Sequence, residues 1–215
     1  MTTLLIATRN AHKAGEIQVI LGADFHCLTL DGFPDAPPVL EDADTFAGNA
    51  TKKAVELARW LGGGPGFKVR NSPLDFVLAD DSGLEVDVLG GAPGVHSARF
   101  AALDKSENSH DADNNSKLLR LLQEVPAGQR TARFRCVLAL VSCADGAGAQ
   151  LFEGACEGRI QSGASGRGGF GYDPLFVPTG HEQSFAELGE AVKNRLSHRA
   201  RALEKLKDYF SKLAS

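Results

Sequence analysis

The stretch from Thr3 to Gly22, TLLIATRNAHKAGEIQVILG, decides the predicted fold, because its hydrophobic pattern changes period once. It starts with TLLIAT, a short apolar run containing the β-branched residues that strands favour. After Asn10, apolar side chains recur at helical spacing, at Ala14, Ile17, Ile20 and Leu21. Gly22 follows as a helix stop. The stretch therefore predicts a strand, a short polar loop and a helix.

The rest of the chain continues this alternation of strand and helix patterns. Strands are predicted for residues 25–30, 74–79, 130–143 and 149–161, and helices for 45–62, 115–125, 184–188 and 195–214. The helix over 45–62 is expected to turn these apolar side chains inward: Phe46, Ala50, Ala54, Leu57 and Leu61. The last helix is expected to do the same with Leu196, Leu203, Leu206, Phe210 and Leu213. The pattern predicts one α/β domain over residues 1–215, with a mixed, twisted sheet.

Two segments interrupt this pattern. Residues 31–44, DGFPDAPPVLEDAD, are too rich in proline and aspartate for regular structure and predict a loop. Residues 62–73, GGGPGFKVRNSP, predict a mobile, peripheral loop that carries no chemistry.

Composition narrows the class of protein. The net charge of −4 disfavours a general nucleic-acid binder, since such proteins are usually basic. The four cysteines, Cys27, Cys136, Cys143 and Cys156, form no C-x-x-C pair and no zinc-like cluster, so we expect reduced, mostly buried thiols. The sequence contains neither a signal peptide nor an apolar run long enough to span a membrane. A cytoplasmic protein is the resulting expectation.

The first candidate site is the polar loop ATRNAHK, residues 7–13, between the first strand and the first helix. Unpaired N–H groups and the helix dipole favour an anion at a helix N-terminus. Lys13, in the first turn, could reach a phosphate, and Asn10 could cap the helix or bind a ligand. The alternative is an ordinary capped turn with a solvated lysine.

The second candidate is a set of acids from two segments, Glu41 with Asp42 and Asp80 with Asp81. Mg²⁺ is usually held by one or two carboxylates together with substrate phosphates. Asp80 and Asp81 follow an apolar run, so we place them at a strand end, where neighbouring side chains point to opposite sides. One of them would then face a site and the other the scaffold. The alternative is a turn whose carboxylates cap local N–H groups.

Two further segments have a composition suited to a flat, anionic ligand. GGFGYDP, residues 168–174, combines glycines that allow close backbone approach with two rings, Phe170 and Tyr172, that could stack on a base. The alternative is a tight turn with two core aromatics. Lys193, His198 and Arg199 gather near the start of the last helix, where a bound anion would relieve their repulsion by the helix dipole. The alternative is a solvated basic face.

With these segments in order, the chain resembles the inosine triphosphate pyrophosphatase family, the Ham1/RdgB-like pyrophosphatases of non-canonical purine nucleotides. The matching segments are ATRNAHKAGEI, DTFAGNATKKA, LADDSGLEVDVLGGAPGVHSARF, GGFGYDPLF and SFAEL with KNRLSHRARAL. They run from Thr8 to about Leu203, nearly the whole chain. The resemblance implies a single elongated α/β domain of two lobes with a substrate cleft between them, and a homodimer. It also implies Mg²⁺-dependent hydrolysis of dITP, ITP and XTP to the monophosphate and pyrophosphate.

The resemblance also implies roles for individual residues. Asp81 would be the general base and a metal ligand, with Glu41 as the second metal ligand, although the loop leaves Asp42 open as an alternative. The remaining residues would bind substrate. Thr8, Arg9, Asn10, Ala11, His12 and Lys13 would hold the phosphates, Ser82 would contact substrate, Phe170, Gly171, Tyr172 and Asp173 would bind the base, and Lys193, His198 and Arg199 would contact phosphate and the purine edge.

Two other functions remain as alternatives. A Maf-like pyrophosphatase of modified pyrimidines would share a similar sheet and acidic loop, but GGFGYDP and SHR do not fit it. A nucleotide sensor would bind the same ligand without turnover. A phosphate-release assay separates the sensor from an enzyme.

Overall fold

The computed structural model of the chain describes residues 1–63, 74–102, 108–144 and 148–213. The strands are β1 (Thr2–Ile6), β2 (Phe25–Thr29), β3 (Phe76–Val86), β4 (Thr131–Ser142), β5 (Gln150–Ile160) and β6 (Phe176–Pro178). The α-helices are α1 (Ala11–Leu21), α2 (Phe46–Gly63), α3 (Asp111–Leu121), α4 (Phe185–Leu188), α5 (Glu190–Leu196) and α6 (His198–Leu213). Of the predicted loop 62–73, the first two residues end α2, and 64–73 lie outside the described residues.

Within the part of the chain that the structure describes, the strands form one six-stranded sheet in the order β2-β1-β3-β4-β5-β6. β1 pairs in parallel with β2 and β3, whereas β5 pairs antiparallel with β6. The predicted α/β fold with a mixed sheet is confirmed. Since parallel neighbours need a crossover, α1 connects β1 to β2, and the polar loop 7–10 follows the carboxyl end of β1. Ligands of α/β sheets bind at such strand ends.

The residues of the opening stretch explain α1. Asn10 has extended backbone angles and its side chain accepts a hydrogen bond from the Lys13 N–H, so it is the N-cap. Gly22 ends the helix with a φ of 70°, a left-handed value that glycine adopts without steric cost. Ala14, Ile17 and Leu21 are buried, as their spacing predicts.

Two compact units divide the chain. The first comprises Met1–Asp81, Cys136–Glu153 and Ala202–Ser215, and the second comprises Ser82–Arg135 and Gly154–Arg201. Each has its own apolar core. The first core includes Leu4, Ile6, Ile17, Leu78, Leu138 and Leu203. The second includes Leu84, Leu118, Phe134, Phe176 and Phe185. That residues 1–215 form a single domain stays a prediction.

The prediction that a strand ends before the two aspartates is wrong. β3 continues through Asp80 and Asp81 to Val86, so the two carboxylates lie in mid-strand. Their side chains are nonetheless buried, because lysines from α1 and α2 meet them there. The acids therefore mark the interior of a strand and not a turn.

The single helix predicted over residues 195–214 is wrong as well. Ser197 has extended backbone angles and separates α5 from α6, and its hydroxyl accepts a hydrogen bond from the Ala200 N–H. Lys193 thus belongs to α5, while His198 and Arg199 begin α6. Leu213, predicted to face inward, is 61% exposed because it lies in the last turn of α6, beyond the buried residues of that helix.

Other elements are confirmed with adjusted ends. α2 buries all five of the apolar side chains predicted to face inward. α4 starts with the predicted capping box, in which Ser184 and Glu187 exchange side-chain to backbone hydrogen bonds. α3 starts at Asp111, four residues before the predicted start, and β6 was not predicted.

The four cysteines are free, and Cys136 and Cys156 are buried while Cys27 and Cys143 are partly buried. Burial raises the pKa of the Cys143 and Cys156 thiols to about 11, so both stay protonated at neutral pH. Along the described residues, the helices are all too short or too polar to cross a bilayer.

Candidate active site

Among the described residues of the first unit, Asp80 and Asp81 are the most buried carboxylates, with 1% and 4% of their surface exposed. Since neighbouring side chains of a strand point to opposite faces, the two acids meet different partners. Asp80 pairs with Lys13, whose Nζ lies 2.7 Å from Oδ1. Its Oδ2 accepts a hydrogen bond from the Cys136 thiol at 3.2 Å. Asp80 is therefore tied to α1 and β4.

Asp81 faces the residues of α2. Asn49 donates from Nδ2 to Asp81 Oδ2 over 3.1 Å, and Lys53 Nζ lies 3.7 Å from Oδ1. Burial raises the pKa of the Asp81 carboxyl above its ordinary value. The charges of Lys53 and Lys13 oppose this shift, whereas that of Glu41 adds to it. A buried carboxylate whose pKa is raised is a better proton acceptor, which suits a general base.

Residues 33–44, before α2, form a loop that we call the acidic loop, and this loop brings Glu41 to Asp81. Lys53 Nζ lies 3.1 Å from Glu41 Oε1, so one ammonium group contacts both Glu41 and Asp81. Asp42 instead pairs with Lys52 at 2.6 Å, and its side chain is 56% exposed. The geometry favours Glu41 over Asp42 as the partner of Asp81.

Sequence reasoning missed two residues of this cluster, Asn49 and Lys53. Lys53 is 7% exposed and also donates to the Asp80 carbonyl at 2.7 Å. Asn49 is 1% exposed, and besides its bond to Asp81 its Oδ1 accepts from the Ala43 N–H. The two residues are four apart on one helix face, next to the buried Ala50 and Ala54. Polar residues at that spacing along a predicted core face were the available signal.

The loop 7–13 lies at the end of β1, as predicted. Asn10 caps α1, and its own N–H donates to Thr8 Oγ1. Arg9 donates from Nη2 to the Ala36 carbonyl at 2.7 Å and so ties this loop to the acidic loop 33–44. Ala11 and His12 are exposed in the first turn of α1. The first turn of α1 can therefore receive an anion close to Lys13.

The segment of residues 168–174, which we call the base loop, lies in the second unit, and its contacts centre on Asp173. This carboxylate is 1% exposed and pairs with the buried Lys193 ammonium at 2.5 Å. Asp173 Oδ2 also accepts the Phe170 N–H at 2.9 Å. Lys193 Nζ lies 4.3 Å from the centre of the Phe170 ring, within cation–π range. The Phe170 ring is partly exposed and could stack on a flat ligand.

Three other predicted residues of the second unit are held in its interior. Tyr172 is 4% exposed, and its hydroxyl donates to the Ser97 carbonyl, so its ring is part of the core. His198 stacks on the Phe134 ring, with centroids 4.8 Å apart. Arg199 is fully buried and donates from Nη2 to Ser82 Oγ at 2.9 Å, so these two predicted residues are in direct contact.

The family model for the Ham1 family matches residues 4–209. The chain belongs to the Ham1 family. The dITP/XTP pyrophosphatase of Geobacter sulfurreducens is 47% identical over 210 residues, which cover 97% of this chain and 96% of that protein. That of Shouchella clausii is 44% identical over 208 residues, with coverage of 97% and 96%. A solved HAM1 protein from Coxiella burnetii matches with a TM-score of 0.81 at 33% identity, over 99% of this chain and all of that one.

Membership of the Ham1 family confirms the resemblance drawn from the five segments. Within this Ham1 chain, the predicted residues Lys13, Glu41 and Asp81 lie together with Lys53 in the first unit. Phe170, Asp173 and Lys193 form a second group, and Ser82 with Arg199 a third, both in the second unit. The ring of Tyr172 is part of the core of the second unit.

Proposed function

We propose that this chain is a nucleoside-triphosphate pyrophosphatase that hydrolyses dITP, ITP and XTP to the monophosphate and pyrophosphate and so cleanses the nucleotide pool. The observation that carries the proposal is the buried Asp81, held by Asn49 and sharing the Lys53 ammonium with Glu41. The substrate class comes from the Ham1 relatives, which are named dITP/XTP pyrophosphatases. The chain's own residues supply a base, cations and a stacking surface for such a substrate.

Mg²⁺ is the metal that we propose for Glu41 and Asp81. Both are hard oxygen donors, and both already contact one cation, the Lys53 ammonium, at 3.1 Å and 3.7 Å. The described residues contain no group of three or more His, Cys, Asp or Glu that could hold a metal. Mg²⁺ is commonly bound by one or two carboxylates and completed by substrate phosphates. When bound, it would neutralise charge on the triphosphate.

The chain's own residues would carry out proton transfer and phosphate binding. Asp81, with its raised pKa, would accept the proton of the attacking water while Asn49 fixes the carboxylate orientation. Lys13, in the first turn of α1, would exchange part of its contact with Asp80 for phosphate oxygens. The N–H groups at the start of α1 would bind the same phosphates. Phosphoryl transfer depends mainly on such positioning and charge compensation.

In the second unit, Phe170 would stack on the purine ring. Asp173 and Lys193 would hold the loop that carries Phe170. Donors aimed at O6 would select a 6-oxo purine, because the 6-amino group of adenine would leave them unpaired. An unpaired buried donor costs about 1–3 kcal/mol. Several such donors give large discrimination. His198 and Arg199, at the start of α6, are the donors that we propose.

The substrate panel is the direct test. With Mg²⁺, the protein is expected to release pyrophosphate from dITP, ITP and XTP at least about tenfold faster, in kcat/KM, than from dATP, whose 6-amino group would leave the O6 donors unpaired. Guanine carries O6 as well, so the expected preference over dGTP follows from the family resemblance and not from these donors. The Asp81→Asn variant, purified in parallel, controls for contaminating phosphatases. Equal kcat/KM values on all five nucleotides would contradict the specificity. Tight ITP binding without pyrophosphate release would favour the nucleotide sensor, and preference for modified pyrimidines a Maf-like enzyme.

The metal assignment predicts a different outcome for two neighbouring acids. Glu41→Gln is expected to raise the Mg²⁺ concentration for half-maximal rate by about tenfold or more, since it removes an anionic ligand. Asp42→Asn is the matched control, because it removes the neighbouring charge from an exposed pair with Lys52. A titration of rate against Mg²⁺ measures both. If Asp42→Asn alone shifted the titration, Asp42 would be the ligand instead.

A homodimer and a cytoplasmic location complete the proposal. The homodimer follows from the family resemblance and the cytoplasmic location from the free cysteines, and the net charge of −4 supports the absence of a nucleic-acid partner. Light scattering of the purified protein measures the oligomeric state directly.

A further inference from the structure

The base loop of the second unit contains a tight turn at residues 170–173. Asp173 donates its N–H to the Phe170 carbonyl at 3.2 Å, which closes a four-residue turn. Gly171 has a φ of 61°, a left-handed value that side-chain-bearing residues rarely adopt. The Phe170 ring therefore depends on the position of the Gly171 peptide units for its direction.

Helix α3 contacts both polar groups of Gly171. Asp111 Oδ2 accepts the Gly171 N–H at 2.6 Å, and Asn115 donates from Nδ2 to the Gly171 carbonyl at 3.0 Å. Asp111 and Asn115 are four residues apart, so they share one face of α3. We call this pair the α3 clamp. None of the roles assigned above involves either residue.

Asn115 makes this contact at a cost to folding. Within the described residues, its Oδ1 is buried and has no hydrogen-bond partner. The reversed amide orientation would place Oδ1 against the Gly171 carbonyl, so the donor is required where it is. A buried unpaired acceptor lowers stability, and leucine would remove that penalty. A residue kept for stability alone would not leave such an atom unpaired.

We propose that Asp111 and Asn115 are positioning residues that hold the Gly171 peptide units and so fix the Phe170 ring for stacking on the purine. This inference rests on the proposed function. A loop that is already ordered before the substrate arrives lowers the conformational-entropy cost of binding. The clamp touches neither Asp81 nor Lys53, so its loss acts on KM and leaves kcat unchanged.

Asp111→Ala is expected to raise KM for dITP by about fivefold to tenfold with kcat within about twofold, as expected for the loss of a charge-assisted hydrogen bond. Asp113→Ala is the matched control, since Asp113 is an exposed acid in the same first turn of α3. That control removes the same helix-end charge and is expected to leave KM unchanged. Asp111→Asn keeps the acceptor and is expected to restore most of the wild-type KM.

Asn115→Leu separates positioning from stability. It removes the donor to Gly171 together with the unpaired Oδ1. KM for dITP is therefore expected to rise several-fold while the melting temperature stays equal to or above that of the wild type. A lowered melting temperature with unchanged KM would show a purely structural role and overturn the proposal.

Amide hydrogen exchange tests the α3 clamp in the absence of nucleotide. The Gly171 N–H is expected to exchange faster in Asp111→Ala than in Asp113→Ala. If wild-type protein releases no pyrophosphate from any purine triphosphate, the proposed function fails, whatever the exchange rates. If it does release pyrophosphate, but Asp111→Ala matches Asp113→Ala in both KM and Gly171 exchange, the clamp is overturned and the proposed function stands.

Discussion

Asp81→Asn is expected to lower kcat on dITP by about 10²- to 10⁴-fold, the usual contribution of a positioned general base. The amide cannot accept the proton of water, and it is a weaker, uncharged metal ligand. Asn49 and Lys53, which hold the carboxylate in place, remain in the variant. Pyrophosphate release with saturating dITP and Mg²⁺ measures the effect. Turnover within about threefold of wild type would remove Asp81 from the role of base.

The same variant is expected to fold at least as well as the wild type. Burial raises the pKa of Asp81 above its ordinary 3.8, so the ionised carboxylate is disfavoured in the folded state. A raised folded-state pKa means that stability is greatest below the unfolded pKa and is lost as the pH rises through the folded pKa. Asparagine does not ionise, so the variant does not lose this stability as the pH rises. Without Mg²⁺ at pH 7, the melting temperature of Asp81→Asn should therefore equal or exceed that of the wild type, and a large decrease would contradict the burial argument.

Lys193→Met is expected to have the largest effect on stability. Lys193 and Asp173 form a pair with side chains 3% and 2% exposed, so the substitution leaves a buried carboxylate without this partner. Breaking a buried ion pair by removing one member costs about 3–5 kcal/mol. The cation beside the Phe170 ring is lost as well, and KM for dITP should rise. Urea unfolding and steady-state kinetics measure the two effects.

Arg195→Met is the matched control, because it removes a cation from the same helix at an exposed position. It is expected to change stability by well under 1 kcal/mol, as exposed charges usually do. The double variant Lys193→Met with Asp173→Asn should recover part of the stability, since no buried charge remains unpaired. Equal unfolding midpoints for Lys193→Met and Arg195→Met would show that the pair does not stabilise the fold.

The sequence predicted those parts of the fold whose signal is local. The helical spacing of Ala14, Ile17 and Leu21 and the cap at Asn10 defined α1, and the resemblance supplied Asp81 and Glu41. β3 was predicted too short, because two adjacent acids after an apolar run are typical of a turn. Partners from distant segments make a buried strand position tolerable for Asp80 and Asp81: lysines of α1 and α2, together with Asn49 of α2 and Cys136 of β4.

Partners that are distant in the sequence explain the other errors as well. Lys53 was missed because its three contacts come from the acidic loop and β3, which no helical period reveals. The break at Ser197 was missed because apolar spacing continues across it while the serine caps α6. The α3 clamp acts on a glycine in another segment, so neither Asp111 nor Asn115 carried a local signal.

Asn49 joins two parts of the first unit through a single carboxamide. Its oxygen accepts from Ala43 in the acidic loop, and its nitrogen donates to Asp81 in β3. Asparagine satisfies both contacts because its side chain ends in one acceptor and one donor group. The Asn49 side chain thus connects the loop that carries Glu41 to the strand that carries Asp81. A displacement of the loop can therefore reach Asp81 through the Asn49 side chain, as well as through the Lys53 ammonium, without passing along the backbone between them.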